Sequence, residues 1–295
     1  MASDIDFLDE TLEGEPTFQF QRPCNLGRTV QSFNLALEKD QSKTKSRGQY
    51  LVFTDIPYDV VDHLYDKKGS QIFHCRLLYL HEKQTLRTRV PCLATEILSC
   101  WFISYLGLKL RHMGIFRDFS MTGASCWHMG GVSKSTDQGW ASKYKRYITG
   151  ALEVGLWEST TRQKLALDAR LWLENPESHV QQVVTALIAP TRPEIVLQKW
   201  EAPRPEDVAS KTRPRTRSNV PPQARITQEA RVTYTNEAIT ATGTIQLSFA
   251  QIFEKPPDEA AGQGDIIFTE SDLAEAAECV WMSQEFIPRP PPRSC

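Results

Sequence analysis

The chain has 295 residues, with 40% hydrophobic and 24% charged side chains and a formal net charge of −2. That length carries one large core or two small ones, and the composition is that of an ordinary globular protein. The charge excludes a chain that is basic throughout, so any contact with nucleic acid must rest on local basic patches. Seven scattered cysteines, an odd count with no CxxC pair, speak against a disulfide framework and a thiolate zinc site and point to a reducing compartment.

In chain order, the acidic start MASDIDFLDETLEGEP lacks the apolar stretch of a signal peptide. Residues 1–45 are polar and are expected to be loosely ordered, ending in the Lys-rich LEKDQSKTKSRG. QYLVFTDI reads as a strand, and PYDVVDHLYDKK as a short helix with Pro57 in its first turn. FHCRLLYL and TLRTRVPCL flank HEKQ as a hairpin. CLATEILSCWFISYLGLKLRHM is the clearest helix, with Ile97, Trp101, Tyr105 and Leu108 at helical spacing and Gly114 as its stop.

A strand-rich block follows: IFRDFSMTGASCWHMGG, SKSTDQGWAS and RYITGALEVGLW. TTRQKLALDARLWLEN is an amphipathic helix with Leu165, Ala169, Trp172 and Leu173 on one face. HVQQVVTALIA and EIVLQKWEA are two further strands. Residues 202–230 are rich in proline and arginine and too poor in apolar residues to bury a core, so a disordered insertion is expected there. RVTYTNEAITATGTIQLSFAQIF alternates like a strand, and TESDLAEAAECVWMSQ is a helix capped by Thr269 or Ser271. The segment 231–284 is expected to pack on the core, and the proline-rich tail 285–295 to be disordered. No apolar run approaches the roughly 18 residues that cross a bilayer, so an intracellular protein, cytoplasmic or nuclear and without membrane contact, is expected.

Chemistry concentrates where Asp137 and Glu153 fall late in neighbouring strand regions. Carboxylates at the ends of adjacent strands can converge on a hard cation, which then polarises a phosphoryl oxygen and activates water. A lysine nearby would steady the charge that develops. STDQGW followed by GALEVGLWESTTRQKLALDARLWLEN resembles the PD-(D/E)xK, restriction-endonuclease-like superfamily. More closely, it resembles a group of fungal nuclease-like proteins similar to bacterial Uma-type endonucleases. The match spans about residues 50–200 and is most specific from 134 to 200.

The resemblance implies an α/β fold with a mixed central sheet flanked by helices, its core at 46–201. It implies a metal-dependent nuclease acting on DNA or RNA, with Asp137 and Glu153 as ligands of Mg²⁺ or Mn²⁺. Two departures stand out. Gly155 occupies the position where the motif has lysine, and Thr136 precedes Asp137 in place of proline. Lys164, on the following helix, is the substitute lysine. Arg162 and Arg170 stand behind it to hold substrate, and Glu96 matches an additional acidic position in the first long helix. Arg213, Arg215 and Arg217 in the insertion are placed to touch phosphates. If the missing lysine has silenced the chemistry, the same fold serves as an inactive scaffold for nucleic acid or a protein partner.

Each residue also has a plainer reading. Glu153 can be a buried carboxylate paired with Arg162 or Lys164 and no metal. Asp137 can be a turn residue, Lys164 a solvated helix residue, Glu96 an ordinary helix acid, and Asp168 and Arg170 members of local charge pairs. His112 and His128 flank the strand block, yet neither has a second histidine at a metal-ligand spacing in the sequence.

Overall fold

The computed structural model describes residues 12, 14–40, 48–66, 75–157, 161–202 and 223–288. Its strands form two mixed sheets. The first has the order β1 (Thr17–Gln19), β2 (Tyr50–Thr54), β4 (Thr85–Arg89), β3 (Arg76–Leu80), β7 (Val132–Ser135), β6 (Cys126–Met129). The second runs β13 (Ala238–Thr242), β12 (Arg225–Thr235), β11 (Glu194–Glu201), β10 (Gln182–Ile188), β9 (Gly150–Leu156), β8 (Gln138–Ser142), β5 (Phe119–Gly123). β14 (Ile245–Leu247) and β15 (Ile266–Phe268) pair separately. Helices flank these sheets, so the expected mixed α/β class holds.

The layers follow from the period-two pattern of the strands. One face of the second sheet carries Leu152, Val154, Val184 and Ala186. It packs on α3 (Leu93–His112), which presents Leu98, Phe102 and Leu106, and on α6 (Glu270–Ser283), which presents Leu273, Ala277 and Trp281. The other face, with Ala151 and Val183, meets Ala169 and Trp172 of α4 (Thr161–Glu174). The first sheet buries Leu51, Phe53, Leu77, Tyr79 and Leu86 in a third cluster with Val61 of α2 (Tyr58–Asp66) and Leu26 and Val30 of α1 (Pro23–Asp40).

Several expectations change. Residues 1–45 were expected to be loosely ordered, but 17–19 and 23–40 form β1 and α1. Leu26 and Val30, one turn apart and 1% and 2% exposed, provide the anchor that the polar composition hides. Residues 225–230 of the expected insertion belong to β12, which pairs with β11 along its length. Phe286 and Ile287, in the expected tail, pack on the main core. Residues 203–222 and 289–295 lie outside the described residues.

Two long runs read as single strands are divided. SKSTDQGWAS breaks at Thr136–Asp137, where the chain leaves the first sheet and enters the second. The run from Arg231 becomes the end of β12, then β13, β14 and the short helix α5 (Phe249–Phe253). α3 is, by length and composition, long and apolar enough to cross a membrane, contrary to the expectation that no run approaches that length. Its buried face is packed between the second sheet and α6. α6 is capped as expected: the Thr269 hydroxyl accepts from Asp272 N, and the Asp272 carboxylate accepts from Thr269 N.

Candidate functional site

Alternation along the first sheet places Tyr50, Arg76, Arg87, Arg89 and Lys134 on the face opposite its apolar cluster, and all are buried. Toward this cationic face the second sheet and α4 present Asp137, Glu153 and Asp168, each no more than 2% exposed. Two surfaces of opposite charge are thus buried against each other. Burying an ion is costly unless partners and hydrogen bonds replace its hydration, and here they do so for the carboxylates.

Asp137, at the crossing between the sheets, accepts from Arg76 Nε at 2.7 Å on Oδ1. Its Oδ2 accepts from Val154 N at 2.6 Å and from Arg89 Nη2. The same Nη2 donates to Glu153 Oε2 at 3.0 Å, so one guanidinium bridges the two predicted metal ligands. Glu153 Oε1 accepts from Trp172 Nε1 at 2.8 Å and lies 3.1 Å from Lys134 Nζ. Lys134 also lies 3.0 Å from Asp168 Oδ1, which accepts from Arg87 Nη2 at 2.5 Å. The Tyr50 hydroxyl, Arg87 Nη1 and Arg89 Nη1 are buried without a hydrogen-bond partner.

The electrostatics follow from this wiring. Burial raises Glu153 above the ordinary glutamate value, against Lys134 and Arg89. Burial would raise Asp168 as well, but Arg87, Lys134 and Arg89 together hold it at about 2. Burial pushes the Tyr50 hydroxyl up to about 12.

Asp137 and Glu153 therefore come together as the spacing predicts, but around an arginine. All four of their carboxylate oxygens already accept bonds or face a cation. A magnesium-type ion needs free oxygens and room for several waters, and Arg89 fills the space between the two carboxylates. Among the described residues no three His, Cys, Asp or Glu side chains are grouped to hold a metal ion. In this arrangement the residues do not fit the implied Mg²⁺ or Mn²⁺.

The other predicted residues are placed differently. Lys164 does not reach Glu153. It is paired with Glu15 and sits 4.8 Å from the centroid of the Tyr50 ring. Burial lowers Lys164 to about 8, against the pull of Asp168. Its ammonium is engaged by Glu15 of the N-terminal segment and is not bonded to Glu153, unlike the substitute lysine expected there. The lysine that does reach Glu153 is Lys134, from β7. Gly155 shares the face of Glu153, but a Cβ there would lie 2.8 Å from Thr161 Cγ2 and 3.4 Å from Leu165 Cδ1. The motif's lysine position is closed by the approach of α4.

Glu96 is ion-paired with Arg76, so it joins the network one step removed from Asp137, with its side chain 40% exposed. Arg162 is exposed on α4. Arg170 is tied to Glu174 by bonds of 3.0 and 3.1 Å, the local pair anticipated for it. Arg213, Arg215 and Arg217 lie outside the described residues. Asp168, read as half of a local pair, is instead a central carboxylate. Arg76, Arg87, Arg89 and Lys134 were missed because their partners lie on other elements, 19 to 81 residues away in sequence. The available signal was the alternation in TLRTR, which puts two arginines on one face of a strand.

No family model matches the chain, and no curated protein matches it. Among solved structures the chain is similar to one from Anabaena variabilis described as "a putative nuclease belonging to DUF820". The identity is 11%, the TM-score is 0.33, and the similarity covers 52% of this chain and 92% of that one.

Proposed function

We propose that this chain is a nuclease-derived domain of PD-(D/E)xK descent whose metal centre has been replaced by an internal guanidinium, and that it works as a nucleic-acid-binding scaffold without cutting. The descent rests on the motif resemblance from 134 to 200. The replacement rests on one observation: Arg89 Nη2 bonds Asp137 and Glu153 together, with all three side chains at most 4% exposed. A hydrolytic centre must admit a scissile phosphate and water, and a sealed ion-pair network admits neither. Binding is left to the surface, where Arg162 and Arg225 are exposed, and to Arg213, Arg215 and Arg217 of the Arg-rich sequence that follows β11.

The test is cleavage of plasmid and single-stranded DNA and of RNA with Mg²⁺ or Mn²⁺, alongside Glu153→Gln and Glu153→Ala. The expected result is no cleavage above background by any of the three. Divalent-dependent cleavage by the parent chain that Glu153→Gln abolishes would restore the nuclease reading. Nucleic-acid binding should fall steeply with salt, and the slope should flatten when Arg213, Arg215 and Arg217 become serine. An unchanged slope removes those arginines from the interface.

A further inference from the structure

The turn between β8 and β9 runs SKYKRYI, with Lys143, Tyr144, Lys145 and Arg146 all exposed. The buried ion-pair network uses none of them. Asp118, just before β5, and Glu254, just past α5, brace this turn from two other elements. Lys143 N donates to Asp118 O at 2.8 Å, which fixes the start of the turn. Each carboxylate then gathers one lysine and one tyrosine. Asp118 Oδ1 accepts from the Tyr144 hydroxyl at 3.1 Å and lies 3.3 Å from Lys143 Nζ. Glu254 Oε2 accepts from the Tyr147 hydroxyl at 2.8 Å and lies 2.5 Å from Lys145 Nζ. Each ammonium is thereby held beside a ring, Lys143 at 4.9 Å from the Tyr144 centroid and Lys145 at 5.4 Å from that of Tyr147.

The charges here do not balance. Arg117, Arg146 and Lys255 are exposed around the same turn, and among the described residues none of the three forms an ion pair. Hydrogen bonds from Lys143 and Tyr144 hold Asp118 below the ordinary aspartate value, and Lys255 adds to that pull, which places it beside the pair. Five cations thus surround two carboxylates. The two rings also differ. Tyr147 is covered by His179, stacked on it at 3.9 Å, whereas Tyr144 is 72% exposed. A ring held open among cations supplies a face for a base and positive charge for phosphates. A single strand can turn an unstacked base onto such a ring, and a duplex keeps its bases stacked.

We infer that the β8–β9 turn is a docking surface for single-stranded nucleic acid, with one base stacked on Tyr144 and with Lys143, Arg146 and Lys255 meeting backbone phosphates. This rests on the scaffold reading above and locates the strand on it. The anchoring carboxylates give the surface its order: Asp118 fixes the Tyr144 ring through its hydroxyl, so less freedom is lost when a base settles on it. Arg146, between the two lysine–tyrosine pairs and unpaired itself, is the cation with most to gain from a phosphate.

The test is fluorescence anisotropy of labelled oligo-dT and oligo-U with the full chain over a series of salt concentrations, with a DNA duplex and phosphatidylserine vesicles as controls. The expected result is tighter binding of the single strands than of the duplex. Tyr144→Ala should weaken it about fivefold or more, the lower end of what one stacked base is worth, while Tyr144→Phe keeps the ring and should bind like the parent. Arg146→Ser should flatten the salt slope by about 0.7, one phosphate contact on a single strand. Both positions are exposed, so the variants should fold, and thermal unfolding checks this. Single-strand binding that a folded Tyr144→Ala leaves unchanged overturns this surface and leaves the scaffold reading standing, as does tighter binding of the duplex. Equal losses in Tyr144→Ala and Tyr144→Phe would assign the effect to the Asp118 bond and overturn the stack, and an unchanged slope overturns the part given to Arg146. A parent chain that binds no nucleic acid, whether or not the vesicles capture it, removes both readings.

Discussion

Gly155 carries the contrast between the family motif and this chain. A glycine two residues after the acidic strand position reads as a lost lysine, yet the structure gives it a positive reason: α4 approaches too closely for any side chain. Restoring the motif with Gly155→Lys should therefore not restore chemistry. It should overpack the contact with Thr161 and Leu165 and cost about 1–3 kcal/mol, read as a fall in the denaturant midpoint. A variant as stable as the parent would show that α4 can retreat. Glu153 was legible from sequence because a lone carboxylate in an apolar strand demands partners. Those partners, Arg89, Lys134 and Trp172, were not, since periodicity within one strand is silent about which distant strand faces it.

At the scale of elements, the sequence served best where one periodicity ran unbroken. α3, α4 and α6 emerge close to where Ile97, Leu165 and the Thr269 cap place them, and the hairpin of β3 and β4 follows from its alternation. It served worst where few apolar residues did the anchoring. Only Leu26 and Val30 mark the face that α1 turns to the first sheet, and the break at Thr136–Asp137 has no local signal beyond a turn-prone aspartate. The N-terminal elements are nonetheless structural. β1 pairs in parallel with β2, and Glu15 reaches Lys164. Deleting residues 1–47 should uncover Leu51 and Phe53 and take Glu15 away from Lys164. Each large apolar side chain so exposed is worth about 1.5–3 kcal/mol, so the melting temperature should drop by on the order of 10 °C. A deletion that melts with the parent would make this segment an ornament.

For the molecule as a whole, the buried network joins the two sheets, so its titration is a statement about global stability. Asp168 has a folded value of about 2 against an ordinary 3.8. A depressed carboxylate contributes stability that is present above the unfolded value and lost as pH falls through the folded one, here on the order of 2 kcal/mol. Glu153 is shifted the other way, so the native state takes up a proton before the unfolded chain does, and mild acidification works in its favour. The stability profile should therefore stay flat or rise slightly down to about pH 4.5 and then fall steeply toward pH 2. Chemical denaturation at a series of pH values checks this. A steady decline beginning well above pH 4.5 would mean that the folded state holds Glu153 below its ordinary value and not above it.

The bridging guanidinium of Arg89 also constrains how this sequence can drift. Losing one member of a buried ion pair strands its partner at about 3–5 kcal/mol, a large share of what holds an ordinary domain together. Arg89, Asp137 and Glu153 are thus exchanged most cheaply in concert, and any single substitution among them carries most of that cost. The arginine acts as a ratchet: with it seated between the two carboxylates, a lasting change at this centre takes at least two coordinated substitutions.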